Sequence, residues 1–518
     1  MNSGEQILGS IRPRPEVVPG LKLPPLKQAV RIRRDIWKLE EQQEWHPVTR
    51  AYAEAIRIMK ARQDTDPTSL AYQAGIHGHA QTDQWLNTCQ HRSWYFLPWH
   101  RMYLYWFELI CRAAIKSSPN VDDKTKSNWA LPYWNYDRGT PTNTIPPAFR
   151  AETTPDGDPN PLFVPGRLMN DGSAMPDGPE GVTTPTAALA KHHFTGGDAG
   201  PANTGGFGGP QTGFHHGGGI NGALENVPHN TVHGEVGGFM WAFDTAGLDP
   251  IFWLHHCNID RLWEVWDRQT NPSRENPTDA AWTTNQVFHF RNTSGADVTQ
   301  TSGGVVDTKN QLSYVYDQFS GPVFKIPFIP IFKIPRLPIP PRPEGFADMT
   351  EEPPADRPVE LAGATEEPVR LSGDTVETQI SLGGATAFRD ASAEPDRVYL
   401  NVEQVTAEGP VGTNYSVYVN IPDDDETTED NYHVGHVSLF GAAEASDPES
   451  DHQEGLRFVF DITDLYRALK ESGAWDESRL KVTLKPVRRR TSDGAAFTGA
   501  ESPQLPAASI GRVSVFYQ

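Results

Sequence analysis

The chain has 518 residues, more than one hydrophobic core usually organises, so two or three domains are expected. A formal charge of -21 works against phosphate backbones and anionic lipid, which need clustered Lys and Arg, and so argues against nucleic acid and membrane surfaces as partners. With 14 Trp, 23 Phe and 15 Tyr against 21% charged residues, the composition supplies apolar surface for packed cores and stands away from the disordered class.

The opening stretch MNSGEQILGSIRPRPEVVPG has no apolar run of the secretory kind, and no window reaches the roughly 18 apolar residues of a membrane span. Cys89, Cys111 and Cys257 are too few for a disulfide framework, so a reducing compartment such as the cytoplasm is the expectation. Apolar repeats at three and four from Val30 to Gln63, broken by Pro47, predict two helices. Further helices are expected over Leu97–Lys116 and Asp249–Gln269, each opened by a proline, with Asp249 as a natural N-cap. Thr140 to Gly222 is dense in Gly, Pro, Asn and Thr and reads as long ordered loops. Twelve prolines between Gly321 and Pro368, with acidic runs, place a linker over residues 321–390, exposed to proteases at Arg357 and Arg370. Beyond it, segments such as NYSVYVN, HVGHVSLFG and LRFVFDIT alternate apolar and polar residues, as strands of an antiparallel sandwich or barrel do. The class is α+β with three regions: 1–320 mainly helical, 321–390 linking, 391–518 mainly β.

Histidine carries the chemistry, since 14 of the 17 lie before residue 290. His229 and His233 stand four apart, which on a helix puts both rings on one face within reach of one ion, although two exposed rings would show the same spacing. His255 and His256 are adjacent, so a helix turns them about 100° apart. His256 shares its face with Phe252, Ile259 and Trp263 and is therefore the better third ligand. A second triple, His77, His91 and His100, precedes this one in the chain. Imidazole suits copper in both oxidation states, whereas a hydrolytic di-zinc site would ordinarily recruit carboxylates, and none stands at these spacings. Two Cu(I) ions a few Å apart can together pass two electrons to dioxygen.

These residues resemble the tyrosinase, catechol oxidase and haemocyanin superfamily of type 3 copper proteins. CQHRSWYFLPWHRMYLYWFE is similar to its copper-A signature, and HNTVH followed by DPIFWLHHCNID to copper B. The resemblance implies a four-helix bundle holding two copper ions, with His77, His91 and His100 on copper A and His229, His233 and His256 on copper B. It leaves His255, His79, His192, His193, His215 and His216 without a ligand role, the last four expected at the surface. In fungal tyrosinases and molluscan haemocyanins a cysteine two before the second copper-A histidine is bonded to that ring, so Cys89 joined to His91 is implied, a free buried thiol being the alternative. Glu225 and Asn230 stand where plant-type polyphenol oxidases hold a water able to take a proton from a monophenol; an ordinary first-turn helix acid is the other reading of Glu225. Phe243 occupies the place of a bulky gate over copper B, or is a core aromatic, and Phe252 packs between the helices. LSYVYDQF is similar to the tyrosine motif closing the catalytic domain, with Arg33 or Arg34 as its arginine.

The β-rich remainder resembles the C-terminal domain of latent plant-type enzymes, a β-sandwich. The implied protein is a two-domain phenol oxidase that uses dioxygen to oxidise o-diphenols, and to hydroxylate monophenols, to o-quinones. It is latent until a protease removes the C-terminal domain, a residue of His433–Gly441 being the expected plug. A catechol oxidase without monophenolase activity, a haemocyanin-like oxygen carrier and a di-zinc hydrolase are the competing functions.

Overall fold

The computed structural model describes residues 29–78, 86–178, 181–196, 200–269, 273–319, 358–383, 394–422, 431–446, 454–476, 478–489 and 506–518. Helices dominate up to residue 319: α1 (Ile36–Gln42), α2 (Pro47–Lys60), α3 (Leu70–Gly78), α4 (Phe96–Ser117), α5 (Asp123–Asn128), α6 (Pro147–Arg150), α7 (Thr186–Leu189), α8 (Thr231–Val236), α9 (Phe243–Ala246) and α10 (Pro250–Asp267). The break foreseen at Pro47 separates α1 from α2. His46 Nδ1 accepts from the Val48 N–H at 3.1 Å, and Pro47 gives up an N–H that a first helical turn leaves unpaired anyway. Asp249 caps α10 by accepting from the Ile251 N–H at 2.9 Å, and Arg167 grips the same carboxylate at 2.6 and 2.8 Å. α4 packs on α2 and α10, and their apolar faces form one aromatic-rich core. The Thr140–Gly222 stretch is mostly loop, carrying only α6, α7 and the two-residue strand β2 (Gly219–Ile220) among its described residues.

A buried ionic network locks this part. Strands β1 (Arg31–Arg33) and β5 (Tyr314–Tyr316) pair in parallel, setting Arg33 opposite Tyr316, while a small hairpin of β3 (Phe288–Arg291) and β4 (Asp297–Gln300) lies between them in sequence. Glu108 of α4 takes Arg31 at 2.9 Å and Arg33 at 2.8 Å. Asp260 of α10 takes Arg101 of α4, Arg33 at 3.2 Å, and the hydroxyls of Tyr314 and Tyr316. Arg33, rather than Arg34, is thus the arginine of the tyrosine motif, its guanidinium lying 3.7 Å from the centre of the Tyr314 ring. Burial pushes the Asp260 carboxyl up, but Arg101, Arg33 and the two hydroxyls outweigh it and hold it below its ordinary value.

From residue 358 the chain forms β6 (Glu360–Ala364), β7 (Val369–Leu371), β8 (Val376–Leu382), β9 (Val398–Ala407), β10 (Asn414–Val419), β11 (His433–Ser438), β12 (Leu456–Asp461), helix α11 (Thr463–Glu471), β13 (Arg479–Pro486) and β14 (Ala508–Tyr517). The foreseen strands are present, joined as one path, β11-β10-β13-β8-β6-β14-β9-β12-β2, with β7 beside β14. Their inward residues make a second apolar core. The linker foreseen over 321–390 is too long. Residues 360–382 alternate buried and exposed side chains and supply three strands, so acidic and proline content there marks strand edges and turns rather than a free connection. Arg370 lies in β7 opposite Ser509, its backbone held in a ladder, which removes it as a cleavage point, while Arg357 lies outside the described residues. β2 belongs to the helical half yet completes the C-terminal sheet, pairing in parallel with β12 (Leu456 opposite Gly219, Arg457 opposite Ile220). Among the described residues no helix is long and apolar enough to cross a membrane.

Asp260→Ala takes a carboxylate from two buried guanidiniums, leaving Arg33 on Glu108 and Arg101 on Glu264 at 3.6 Å, and is expected to cost about 3–5 kcal/mol, whereas Tyr316→Phe removes one of several donors and costs about 1 kcal/mol. Urea denaturation of the metal-free chain, followed by tryptophan fluorescence, reads both. Similar small shifts for the two variants would show that the network is not what locks this half.

Candidate metal centre

Two groups of imidazoles meet in the helical core. His77 comes from the last turn of α3, His91 from the irregular segment before α4, and His100 from the first turns of α4. The His91 ring centroid is 5.4 Å from that of His77 and 5.2 Å from that of His100. His229 closes a helical turn kinked at Pro228, His233 lies in α8 and His256 in α10; the His229 centroid is 4.6 Å from His233 and 4.8 Å from His256. The two groups adjoin, the His100 and His256 rings stacking at 4.5 Å, and Phe252 packs between them, 5.1 Å from His77 and 4.2 Å from His256. All six rings are buried, and burial holds every one below the ordinary histidine range, His77 at about 3. The rings are therefore neutral at physiological pH.

Five of the six rings are turned by their second nitrogen, while Nδ1 of His256 is buried with no partner among the described residues. Nδ1 of His77 donates to Phe243 O at 2.8 Å, of His100 to Phe96 O at 2.8 Å, and of His233 to Met240 O at 2.7 Å. Nδ1 of His91 meets Glu225 Oε1 at 3.0 Å, and that of His229 meets Asn230 Oδ1 at 2.7 Å. A proton held on Nδ1 leaves Nε2 as a lone pair, the tautomer a metal ligand needs. His77 and His91 then point two lone pairs at each other across 3.4 Å, which is no hydrogen bond but is close to the roughly 3.3 Å between two nitrogens about 2 Å from one ion. Nε2 of His100 and of His229 is buried with no partner among the described residues. Converging unpaired lone pairs in a dry pocket are costly without a cation, so the site fits a pair of metal ions.

The surroundings differ from the expectation in four places. His255 does not point away: its nitrogen lies within 4.8 Å of those of His229, His233 and His256, with Nδ1 3.2 Å from the Tyr136 hydroxyl and Nε2 without a partner among the described residues. The helical-face argument failed because α10 is buried on nearly every side. Phe243 does not lie over the second triple but stacks on His91 at 4.2 Å, since its carbonyl accepts from His77 and draws it against α3, where a Cβ on Gly78 would meet that carbonyl at 2.1 Å. His215 and His216 are partly buried rather than surface residues. His215 exchanges hydrogen bonds with His91, and His216 Nδ1 stands 3.1 Å from the Sγ of Cys89, which is buried and in no disulfide. Glu225 and Asn230 both touch ligand-candidate rings directly. Glu225 also accepts from the Arg92 N–H at 2.9 Å with each oxygen, and burial pushes it up to about 7. The Asn230 amide nitrogen is buried with no partner among the described residues.

The C-terminal half enters this site. Phe440, fully buried, belongs to the core of the helical half, its ring stacked 4.1 Å from His233 and 5.7 Å from His229. Arg92 reaches back to Phe440 O at 3.4 Å and Gly441 O at 3.3 Å, and the Phe243 N–H donates to Glu444 Oε1 at 3.2 Å. Asn414 donates to Thr231 O and to Glu235, and Ser438 to Asn230 O. Nothing in the alternation of β11 singles out Phe440, because it lies just beyond the strand; its placement comes from tertiary contacts alone.

Residues 67–269 match the model of the common central domain of tyrosinase, and residues 358–518 match a domain of unknown function. Tyrosinase HcTyr1 of Hahella sp. (strain CCB-MM4) is 33% identical over 489 residues, covering 85% of this chain and 93% of its own. The chain belongs to the tyrosinase family. A chloroplastic polyphenol oxidase of Malus domestica is 28% identical, over 85% of this chain and 74% of its own. Among solved structures, latent aurone synthase has a TM-score of 0.59 at 20% identity (97% of this chain, 92% of that one), and latent apple tyrosinase 0.57 at 22% (96% and 99%), so the fold of the latent enzymes is shared across both halves. This tyrosinase-family chain is accordingly a type 3 copper phenol oxidase with a binuclear copper centre.

Proposed function

We propose that His77, His91 and His100 hold copper A, that His229, His233 and His256 hold copper B, and that the enzyme is latent because Phe440 occupies the place of the substrate ring. The observation that carries this is the Phe440 ring stacked 4.1 Å from His233, inside the histidine cluster. The coppers supply the two electrons that dioxygen accepts. The chain's own groups fix the ligand tautomers, exclude water with Phe252, Phe243 and Phe440, and handle the proton of the incoming phenol. Asn230 orients His229 and has an amide nitrogen without a partner among the described residues, while Glu225 holds His91 and, near neutral pH, has a basicity suited to accepting that proton. This pair supports hydroxylation of monophenols as well as oxidation of o-diphenols. An intramolecular plug acts at high effective concentration, so even weak contacts exclude a dissolved phenol until the tether is cut. On sequence grounds the cut falls in the Pro-rich, acidic linker near residue 350, by a protease.

In the full-length copper-loaded protein, Phe440→Gly is expected to raise the rate of oxygen uptake with 4-methylcatechol about tenfold or more; an unchanged rate would remove Phe440 as the plug while leaving the copper assignment standing. His256→Ala should lower copper to below two per chain by elemental analysis and abolish catechol oxidation, with His255→Ala milder on both; retained full activity in His256→Ala would take that ring out of the ligand set. Asn230→Ala, made in the Phe440→Gly protein, should depress tyramine hydroxylation more than dopamine oxidation, since a catechol gives up its first proton more readily. Equal losses on the two substrates would assign the residue to packing.

A further inference from the structure

Arg92 is a buried guanidinium with no carboxylate in ion-pair contact among the described residues, Glu225 and Glu444 acting on it only through space. It is 1% exposed, none of the described carboxylates lies within ion-pair distance of it, and Nε has no hydrogen-bond partner among the described residues. An uncompensated charge in a dry pocket is costly unless a ligand or a neighbour meets it. Glu225 is nearby but both its oxygens are taken by the Arg92 backbone N–H, and one also by His91. The side chain satisfies itself on carbonyls: Gly217 O at 2.5 Å from its own half, and Phe440 O and Gly441 O from the other. The guanidinium also lies 5.6 Å from the Phe243 ring centroid, beside the backbone N–H that binds the Glu444 carboxylate. Fit here is close: a Cβ on Gly441, at φ +76, would come within 2.2 Å of Arg92 and 2.9 Å of the Phe243 ring.

The segment from Phe440 to Glu444 therefore presents an aromatic ring against His233 and, one turn later, a carboxylate on the Phe243 N–H beside Arg92. We propose that Arg92 and the Phe243 N–H form an anion subsite at the mouth of the copper centre. Its ligand is the carboxylate of a phenolic acid, and the Phe440–Glu444 segment fills it in the closed chain as a built-in mimic. The inference rests on the reading of Phe440 as the plug and names the substrate class that follows. Departure of the C-terminal half removes two of the three carbonyls on the Arg92 side chain and the one carboxylate on the Phe243 N–H, so the opened mouth favours anionic over neutral or cationic catechols. Two carboxylates of the helical half oppose this preference: Asp244, exposed and screened by solvent, and Glu225, whose oxygens are already engaged by the Arg92 N–H and His91.

The test uses the full chain carrying Phe440→Gly and Glu444→Ala, which removes the plugging ring and the carboxylate on the Phe243 N–H. In fluorine NMR titrations of the copper-free protein, 4-fluorophenylacetate is expected to bind about tenfold tighter than 4-fluorobenzylamine. Adding Arg92→Gln should abolish that preference, and Arg92→Lys should keep most of it. With the copper-loaded protein, KM should be about tenfold lower for 3,4-dihydroxyphenylacetate than for dopamine, with the same dependence on Arg92. Equal affinity for the acid and the amine, or a preference that survives Arg92→Gln, overturns the subsite. If no catechol is oxidised at all, the proposed role of the copper ligands falls, and the NMR titration still decides the subsite.

Discussion

The carboxylate of Asp260 is the point on which the rest of this fold turns. It sits one helical turn beyond His256 on α10 and accepts from Arg101, the residue next to His100 on α4. One charge pair thus sets the rise and rotation of two helices relative to each other, and with them the stacking of His100 on His256 across the two triples. Arg33, Tyr314 and Tyr316 close the remaining sides of the same carboxylate, so the first and last strands of the helical half are fastened at one place. Copper chemistry tolerates little error in ligand placement, and a buried network of charges with every member paired is a stiffer means of fixing position than apolar packing, which can slide.

Rigidity of that kind makes regulation a question of access rather than of geometry. Five of the ligand rings are held by carbonyls, a carboxylate and an amide that all belong to the helical half, so those hydrogen bonds do not involve the C-terminal sheet. At the mouth the sheet contributes one ring, two carbonyls and one carboxylate, and beside it Asn414 and Ser438 bond the α8 segment. A cover of this design can be removed without rebuilding the centre beneath it.

Much of the centre was legible in the chain. The six histidines stand in helices or turns whose spacing and caps, such as Pro47 and Asp249, can be read locally, and the structure brings all six together. What could not be read depends on contacts between segments far apart in sequence. His255 looked excluded by helical rotation, but rotation excludes a residue only when the helix has an outside, and α10 has almost none. Phe243 was assigned to the second triple from its distance to His256 along the chain, while its place is decided by a carbonyl accepting from His77. His215 and His216 lie in a glycine-rich loop, and composition says nothing of the fact that this loop folds back along the His91 segment. The strands at 360–382 were hidden because prolines and acids flanking short strands look like those of a linker. Phe440 was narrowed to a stretch of nine residues and no further, since burial in the opposite core leaves no trace in the pattern of its own strand.

The pairing of β2 with β12 gives the cover an unusual dependence. A sheet edge carries a row of free N–H and C=O groups and is a template for any passing strand, so proteins shield their edges. Here the shield of β12 is borrowed from the half being covered. While the two halves stay together the arrangement serves solubility and closure at once. After separation the helical half keeps its core and its centre, but the released sheet carries a bare edge, which makes it the more aggregation-prone of the two products.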